Sequence, residues 1–369
     1  GDFDASDAVG YGITASSAIQ EYLRERGYIL LTPNRSITSP PEDDIKQYRL
    51  KWLMEGYKGF LDLLPQNPDL IFIFHIFQVF PGEIKKILFD TGISIPIIGY
   101  THGSHWDFTD SFRFIKYPGL HLLDLANLYA LDRVLVVSNY MRDTLIKNIS
   151  IFNQKVANEI KEKIEVVGLP INPQMMDKYY TGERYERETI VFNHSFLSGK
   201  NPAMFLKVMS KVLNRYNTNL LITRRVEKGS AFYPAIEGLK DSYGDRIILG
   251  NTMPLSDYYQ CLWRADMQVS TATHESLGIA TLEAMYTRNC CILPHQCCYP
   301  EICEERKEVL YPYSEEGFYQ RLSHFIEQGA ERQETARCLH EISLKYTPEK
   351  VVSKICRVID STASLVNGE

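Results

Sequence analysis

The first 260 residues of this chain contain no cysteine; the eight present are Cys261, Cys290, Cys291, Cys297, Cys298, Cys303, Cys338 and Cys356. That distribution is a poor disulfide framework for 369 residues, so free thiols and a cytoplasmic protein are expected. Long apolar runs are also missing. The longest, Leu70–Phe80, contains His75 and Gln78 and falls well short of the ~20 residues that cross a bilayer, so no transmembrane helix is expected. Positive charge is not in excess either: 40 Lys+Arg against 46 Asp+Glu leave a net charge of −6. No global basic field draws in a polyanion, and any nucleic-acid contact has to come from a local patch. Repeats and low-complexity tracts are absent. The chain opens on Gly1-Asp2 without Met, which leaves a trimmed or targeting segment ahead of it open.

With 44% hydrophobic and 23% charged residues, the chain is expected to fold throughout, as about two domains. Short aliphatic and β-branched runs alternate with helical patterns, the signature of βα units and parallel sheets. Strands are expected at Tyr28–Thr32, Leu70–Phe74, Ile95–Tyr100, Val134–Ser138 and Ile164–Gly168. A second series is expected at Thr189–Asn193, Asn219–Thr223, Arg246–Gly250, Met267–Ser270 and Cys290–Leu293. Helices are expected at Ile13–Arg26, Leu122–Ala130, Ala203–Val212, Leu255–Trp263 and Ile279–Tyr286. Pro170 and Pro173 interrupt the exit of one strand ahead of a polar stretch, which places a linker between an α/β domain at 1–170 and another at 171–347. A last helix, about Pro348 to Val366, carries apolar residues at helical spacing and is expected to return to the first domain.

Chemistry concentrates in Ser270–Ile302. A strand ends at Ser270, the loop His274-Glu275-Ser276-Leu277-Gly278 follows, and a helix starts near Ile279, so first-turn N–H groups are offered to an anion such as phosphate. Glu275 and Glu283 lie a little over two helical turns apart, and a carboxylate accepts hydrogen bonds from the paired hydroxyls of a sugar or ribose. Asp7–Thr14 holds Gly10 and Gly12 ahead of a helix, where backbone can approach a phosphate or acceptor anion closely. His75, and His102, His105, Trp106 and Asp107, follow strands whose carboxyl ends face the ligand crevice of a parallel sheet. The cysteine cluster Cys290-Cys291, Cys297-Cys298 and Cys303 lacks the C-x2-C geometry of a zinc knuckle, so no metal is expected there.

The spacing E-S-L-G-x-x-x-x-E-A at Glu275–Ala284 resembles the E-x7-E motif of family 4 retaining glycosyltransferases. Asp257–Ser270 and Leu131–Ser138 fit the same family. Within it, Asp257-Tyr258-Tyr259, Ser270–Glu275 and Tyr299-Pro300-Glu301-Ile302 look most like the tRNA-queuosine mannosyltransferases. The resemblance implies a GT-B fold: two Rossmann-like domains facing each other across a cleft, the first on the acceptor side and the second binding a nucleotide sugar. It implies a retaining, metal-independent hexosyltransferase with no cofactor, using a GDP-mannose or UDP-glucose type donor. The acceptor stays open between a modified tRNA nucleoside, or other nucleic acid, and a lipid or surface glycan. By analogy Glu275 contacts the donor sugar, Ser276, Leu277 and Gly278 meet the sugar or diphosphate, and Glu283 holds the ribose. His102 is placed near the donor sugar, while His75, His105, Trp106 and Asp107 shape the acceptor pocket.

The family supplies an Arg and a Lys, five residues apart, to the diphosphate. Lys200 matches, but Ser195 stands where the arginine is expected, which leaves Arg224, Arg225 or His194 to replace it. Two further readings are a sugar-nucleotide 2-epimerase, which does not require the Glu275–Glu283 spacing, and a silent binding protein, which the Ser195 departure favours.

Overall fold

The computed structural model describes residues 11–32, 45–76, 80–109, 119–251 and 253–366. The chain divides into two compact units. One takes in the described residues up to Pro170 together with the last helix, Pro348–Val366; the other is Ile171–Thr347.

Among the described residues, the first unit is built on four parallel strands in the order β1-β2-β3-β4: β1 Ile71–Ile73, β2 Ile97–Thr101, β3 Arg133–Val136 and β4 Ile164–Val166. Strands β2 and most of β3 are buried, which is why they read as unbroken apolar runs rather than alternating ones. Gly99 in β2 is required by packing, since a Cβ there would stand 2.6 Å from the Ile76 side chain. The last helix joins this unit by burying Val351, Val352 and Ile355, and by polar contacts to Arg26 (2.7 Å from Ser353) and Tyr28 (to Asp360).

The expected strand at Tyr28–Thr32 does not form. Gly27, at φ +89°, ends the helix Tyr11–Glu25, and no strand among the described residues pairs with the apolar run behind it: Ile29 is 89% exposed. Gly10 lies outside the described residues, and Gly12 is already inside that helix rather than in a loop ahead of it.

Among the described residues, the second unit holds six strands: β5 Thr189–Phe192, β6 Asn219–Ile222, β7 Ile247–Leu249, β8 Met267–Val269, β9 Cys290–Pro294 and β10 Leu310–Tyr311. All pairs are parallel, in the order β10-β9-β8-β5-β6-β7. The chain winds outward from β5 to β7, then returns and winds the other way from β8 to β10. The direction of winding therefore reverses between β5 and β8, and a ligand crevice opens outside the carboxyl ends of strands at such a switch point. The two-residue β10 carries too short a pattern to be read from sequence. No helix among the described residues is long and apolar enough to cross a membrane.

Candidate active site

The switch point decides which residues meet. Ile190 in β5 pairs with Met267 in β8, so the segments leaving the two strands run side by side although they are some 75 positions apart. After β5 come buried Asn193 and His194, then Ser195 and the short turn Ser198–Lys200; after β8 come Ser270–Gly278. Backbone bonds staple them together: Thr273 N–H and His274 N–H both donate to the Gly199 carbonyl, at 2.8 and 3.1 Å. The Thr271 hydroxyl donates to the Lys200 carbonyl at 2.8 Å.

That stapling brings Lys200 Nζ to 2.7 Å from Glu275 Oε2 and 3.0 Å from the His274 carbonyl. Both side chains are mostly buried, 19% and 17% exposed. Burial would push the Glu275 carboxyl up, but the charge of Lys200 and its hydrogen bond more than offset this and hold it below the usual value. Glu275 is therefore a carboxylate, and Lys200 a paired ammonium, at the mouth of the switch point. Between them and the core, burial pushes His194 down to about 3, with Lys200 adding to the effect, so it is a neutral ring. The Gln268 amide N–H2 donates to His194 Nε2 at 3.1 Å, which makes Nε2 the acceptor nitrogen of the ring.

Gly278 sits at φ +79° as the N-cap of the helix Ile279–Tyr286 and supplies no side chain to cap it. A left-handed cap of this kind suits glycine, and a Cβ there would touch Glu275, Tyr299 and Ile302 at 3.5 Å. The loop Ser276–Gly278 thus delivers the helix N-terminus, with its partial positive charge, beside Glu275.

Glu283, little more than one turn into this helix, is held from both sides. The Tyr258 hydroxyl donates to Oε2 at 2.8 Å and the Tyr259 hydroxyl to Oε1 at 2.9 Å. Burial raises the Glu283 carboxyl above its ordinary value; the two tyrosines and Arg224 pull the other way without cancelling it. Each carboxylate oxygen keeps a second lone pair, so the group can still accept from a diol. Tyr258 and Tyr259, neighbours on the helix Leu255–Arg264, are the residues whose part in the site the sequence alone did not reveal. The sequence marked them only through the likeness of Asp257-Tyr258-Tyr259 to one subfamily, with no role at Glu283 attached. Substituting both with phenylalanine leaves Glu283 without donors in a buried position, and each lost bond should cost about 2 kcal/mol in urea unfolding. A change under about 0.5 kcal/mol for the pair would show that solvent already carries these bonds.

Arg224 and Arg225 follow β6 and are exposed. The Arg224 guanidinium lies 5.8 Å from the centre of the Tyr258 ring, on the side of Glu283, whereas Arg225 turns to Glu227 at 3.3 Å. Of the candidate replacements for Ser195, Arg224 is the one whose charge reaches the Glu283 pair.

In the first unit, His102 packs edge-on against Phe74 and Tyr100, each with ring centres 4.8 Å away, and against His75 at 5.3 Å. Burial, helped by His75, pushes His102 down to about 3, so it is neutral. His105 is oriented by Asp124, a residue the sequence did not single out. The buried carboxylate takes the His105 backbone N–H at 2.7 Å and stands 2.9 Å from its Nδ1. Trp106 is 3% exposed and donates its indole N–H to the His121 carbonyl at 2.7 Å. Asp107 is also buried and accepts from the Thr109 backbone and hydroxyl at 2.9 and 2.7 Å. Both bonds build the loop itself, while His75, His102 and His105 are half-buried. Among the described residues, no group of three His, Cys, Asp or Glu side chains is placed to hold a metal ion, and no disulfide joins the eight cysteines.

Residues 180–338 match the family described as glycosyl transferases group 1. A tRNA-queuosine alpha-mannosyltransferase of Drosophila melanogaster is 24% identical over 204 residues, 51% of this chain. The matched stretch spans about half of that relative, 53%. Among solved structures, a sucrose-phosphate synthase of Thermosynechococcus elongatus superposes with a TM-score of 0.72 at 13% identity, over 99% of this chain and 97% of the other. An alpha,alpha-trehalose 6-phosphate synthase of Burkholderia multivorans gives 0.72 at 12% identity, over 100% and 95%. These likenesses show the two-domain GT-B fold, and the group 1 match covers the stretch that carries Lys200, Glu275 and Glu283.

Proposed function

We propose that this chain is a retaining, metal-independent hexosyltransferase, its second unit binding a nucleoside diphosphate sugar and its first unit carrying the acceptor. The observation that carries the reading is the pair Lys200–Glu275 at 2.7 Å, set at the switch point beside an uncapped helix N-terminus. A departing diphosphate develops negative charge, and pre-oriented cations and N–H groups in a sheltered site stabilise it without reorganising. Lys200, the amides of Ser276–Gly278 and Arg224 supply that charge from the chain itself, Arg224 standing in for the arginine missing at Ser195. Glu275, kept ionised by Lys200, faces the positive charge that builds on the sugar. Glu283 accepts from the ribose hydroxyls. His102, neutral and packed among rings, offers a hydrogen bond to the sugar without adding a charge, and His75 and His105 line the acceptor side.

A GDP-mannose type donor and a hydroxyl of a modified tRNA nucleoside are the substrates this reading favours. The likeness to the queuosine mannosyltransferase supports them over a glycan or lipid acceptor. Thiols that stay unbridged suit a reducing compartment.

Thermal unfolding with GDP, UDP, ADP and their sugars tests the donor half. One nucleotide at ~100 times its dissociation constant should stabilise the parent by about 2.7 kcal/mol and leave Glu283→Ala unshifted. Transfer of labelled mannose from GDP-mannose to total tRNA, abolished by ribonuclease, tests the acceptor half. Binding without transfer to tRNA, lipid or glycan would point to the silent protein instead, and no shift with any nucleotide would sink the donor site.

A further inference from the structure

A cavity lies one strand out from the switch point in the second unit. It measures about 390 Å³ and opens at the carboxyl ends of β6 and β7, over a floor formed by Ile222, Ile236 and Leu249. Its rim is cationic. Arg224, Arg225 and Lys228 come from the segment after β6, and Lys240 comes from the helix Tyr233–Tyr243, where it shares a face with Tyr233, Ile236 and Glu237. Four cations thus surround one lining carboxylate, Glu237, in a chain whose overall charge is −6.

Most of this charge is not spent on ion pairs. Arg225 meets Glu227 at 3.3 Å, but among the described residues no carboxylate comes within 4 Å of Arg224, Lys228 or Lys240. Like charges brought together around a concavity repel one another and destabilise the free protein; an anion seated among them removes that repulsion. The apolar floor lowers the local dielectric and strengthens each of these interactions. A surface merely kept soluble by lysines shows neither the cavity nor the one-sided charge.

We infer that this cavity binds a phosphate group, separately from the position held by Lys200 and Glu275, and that a nucleic-acid backbone is its source. The cavity is the concentrated local patch that a net-acidic chain needs in order to hold a polyanion. Arg224 borders both places, so a phosphate held here lies next to the Glu283 pair through Tyr258.

Lys228 and Lys240 are both exposed, so exchanging them does not disturb the core. The test is equilibrium binding of a labelled short stem-loop RNA, and of GDP, to the parent, to Lys228→Glu/Lys240→Glu and to Lys228→Arg/Lys240→Arg. The glutamate variant should bind RNA at least about tenfold more weakly at moderate salt, and its salt slope should be shallower by about 2. The arginine variant should match the parent. GDP affinity should be unchanged in both, yet fall in Glu283→Ala, which separates this cavity from the donor site. A loss confined to GDP would assign the phosphate to the donor nucleotide and overturn the nucleic-acid source. Unchanged affinity for both probes in the glutamate variant would overturn the inference altogether.

Discussion

Lys200→Met should lower transfer by about 10²–10³-fold and at the same time destabilise the second unit by about 3 kcal/mol. The two effects have different origins. The rate loss comes from removing a cation aimed at the leaving diphosphate, for which a single pre-oriented donor is worth about 3–4 kcal/mol in the transition state. The stability loss comes from Glu275, which is 17% exposed and would be left as a carboxylate without its counter-charge. Replacing both partners, as Lys200→Met/Glu275→Leu, removes the stranded charge and should recover most of the stability while leaving the rate low. Single-turnover transfer and urea unfolding on the same samples make the comparison. If Lys200→Met keeps transfer within about threefold of the parent, the ammonium has no part in the chemistry and the pair is architectural.

Mild acid should weaken the protein well before its carboxylates titrate. His102 and His194 are both pushed down to about 3, by burial first, against an ordinary value near ~6.5. Between those two values the unfolded chain binds a proton at each histidine that the folded chain does not. Stability contributed by the neutral rings is therefore complete above about pH 6.5 and declines as pH falls toward 3. At about 1.4 kcal/mol per pH unit for each group, going from pH 7 to 5 should cost about 2 kcal/mol per histidine. The Glu275 carboxyl, held below its ordinary value, adds a loss of the same sign only further down, below the usual carboxylate range. His194→Gln keeps an acceptor for the Gln268 amide and should flatten the part of the profile that belongs to the second unit. Denaturant midpoints that do not move between pH 7 and 5 would mean that both rings take up a proton without unfolding.

Much of this could be read from the chain because it is local. Nine of the ten expected strands fall on observed strands, and β2, β3, β5, β6, β8 and β9, buried along nearly their whole length, need a compact apolar run and little else. Tyr28–Thr32 had the same composition but no partner to pair with among the described residues, and pairing is not a local property. The sequence also marked Glu275, Gly278 and Glu283 through one eight-residue interval, because a loop and the helix it opens place such residues by backbone geometry alone. Lys200, Arg224 and the strand-end histidines were marked singly, by type and position.

Their partners were a matter of tertiary structure. Which cation meets Glu275 depends on β5 and β8 becoming neighbours, and only the order of strands in the sheet decides that. The tyrosines on Glu283 come from another helix, Asp124 reaches His105 from another segment, and the cationic cavity draws on a loop and a helix face that no single window of sequence contains. The sequence by itself determined most of the elements and the chemistry each one carries. The tertiary structure decided which charges are paired, which are neutralised by burial and which are left facing an open cavity, because those properties depend on distance and dielectric and not on order along the chain.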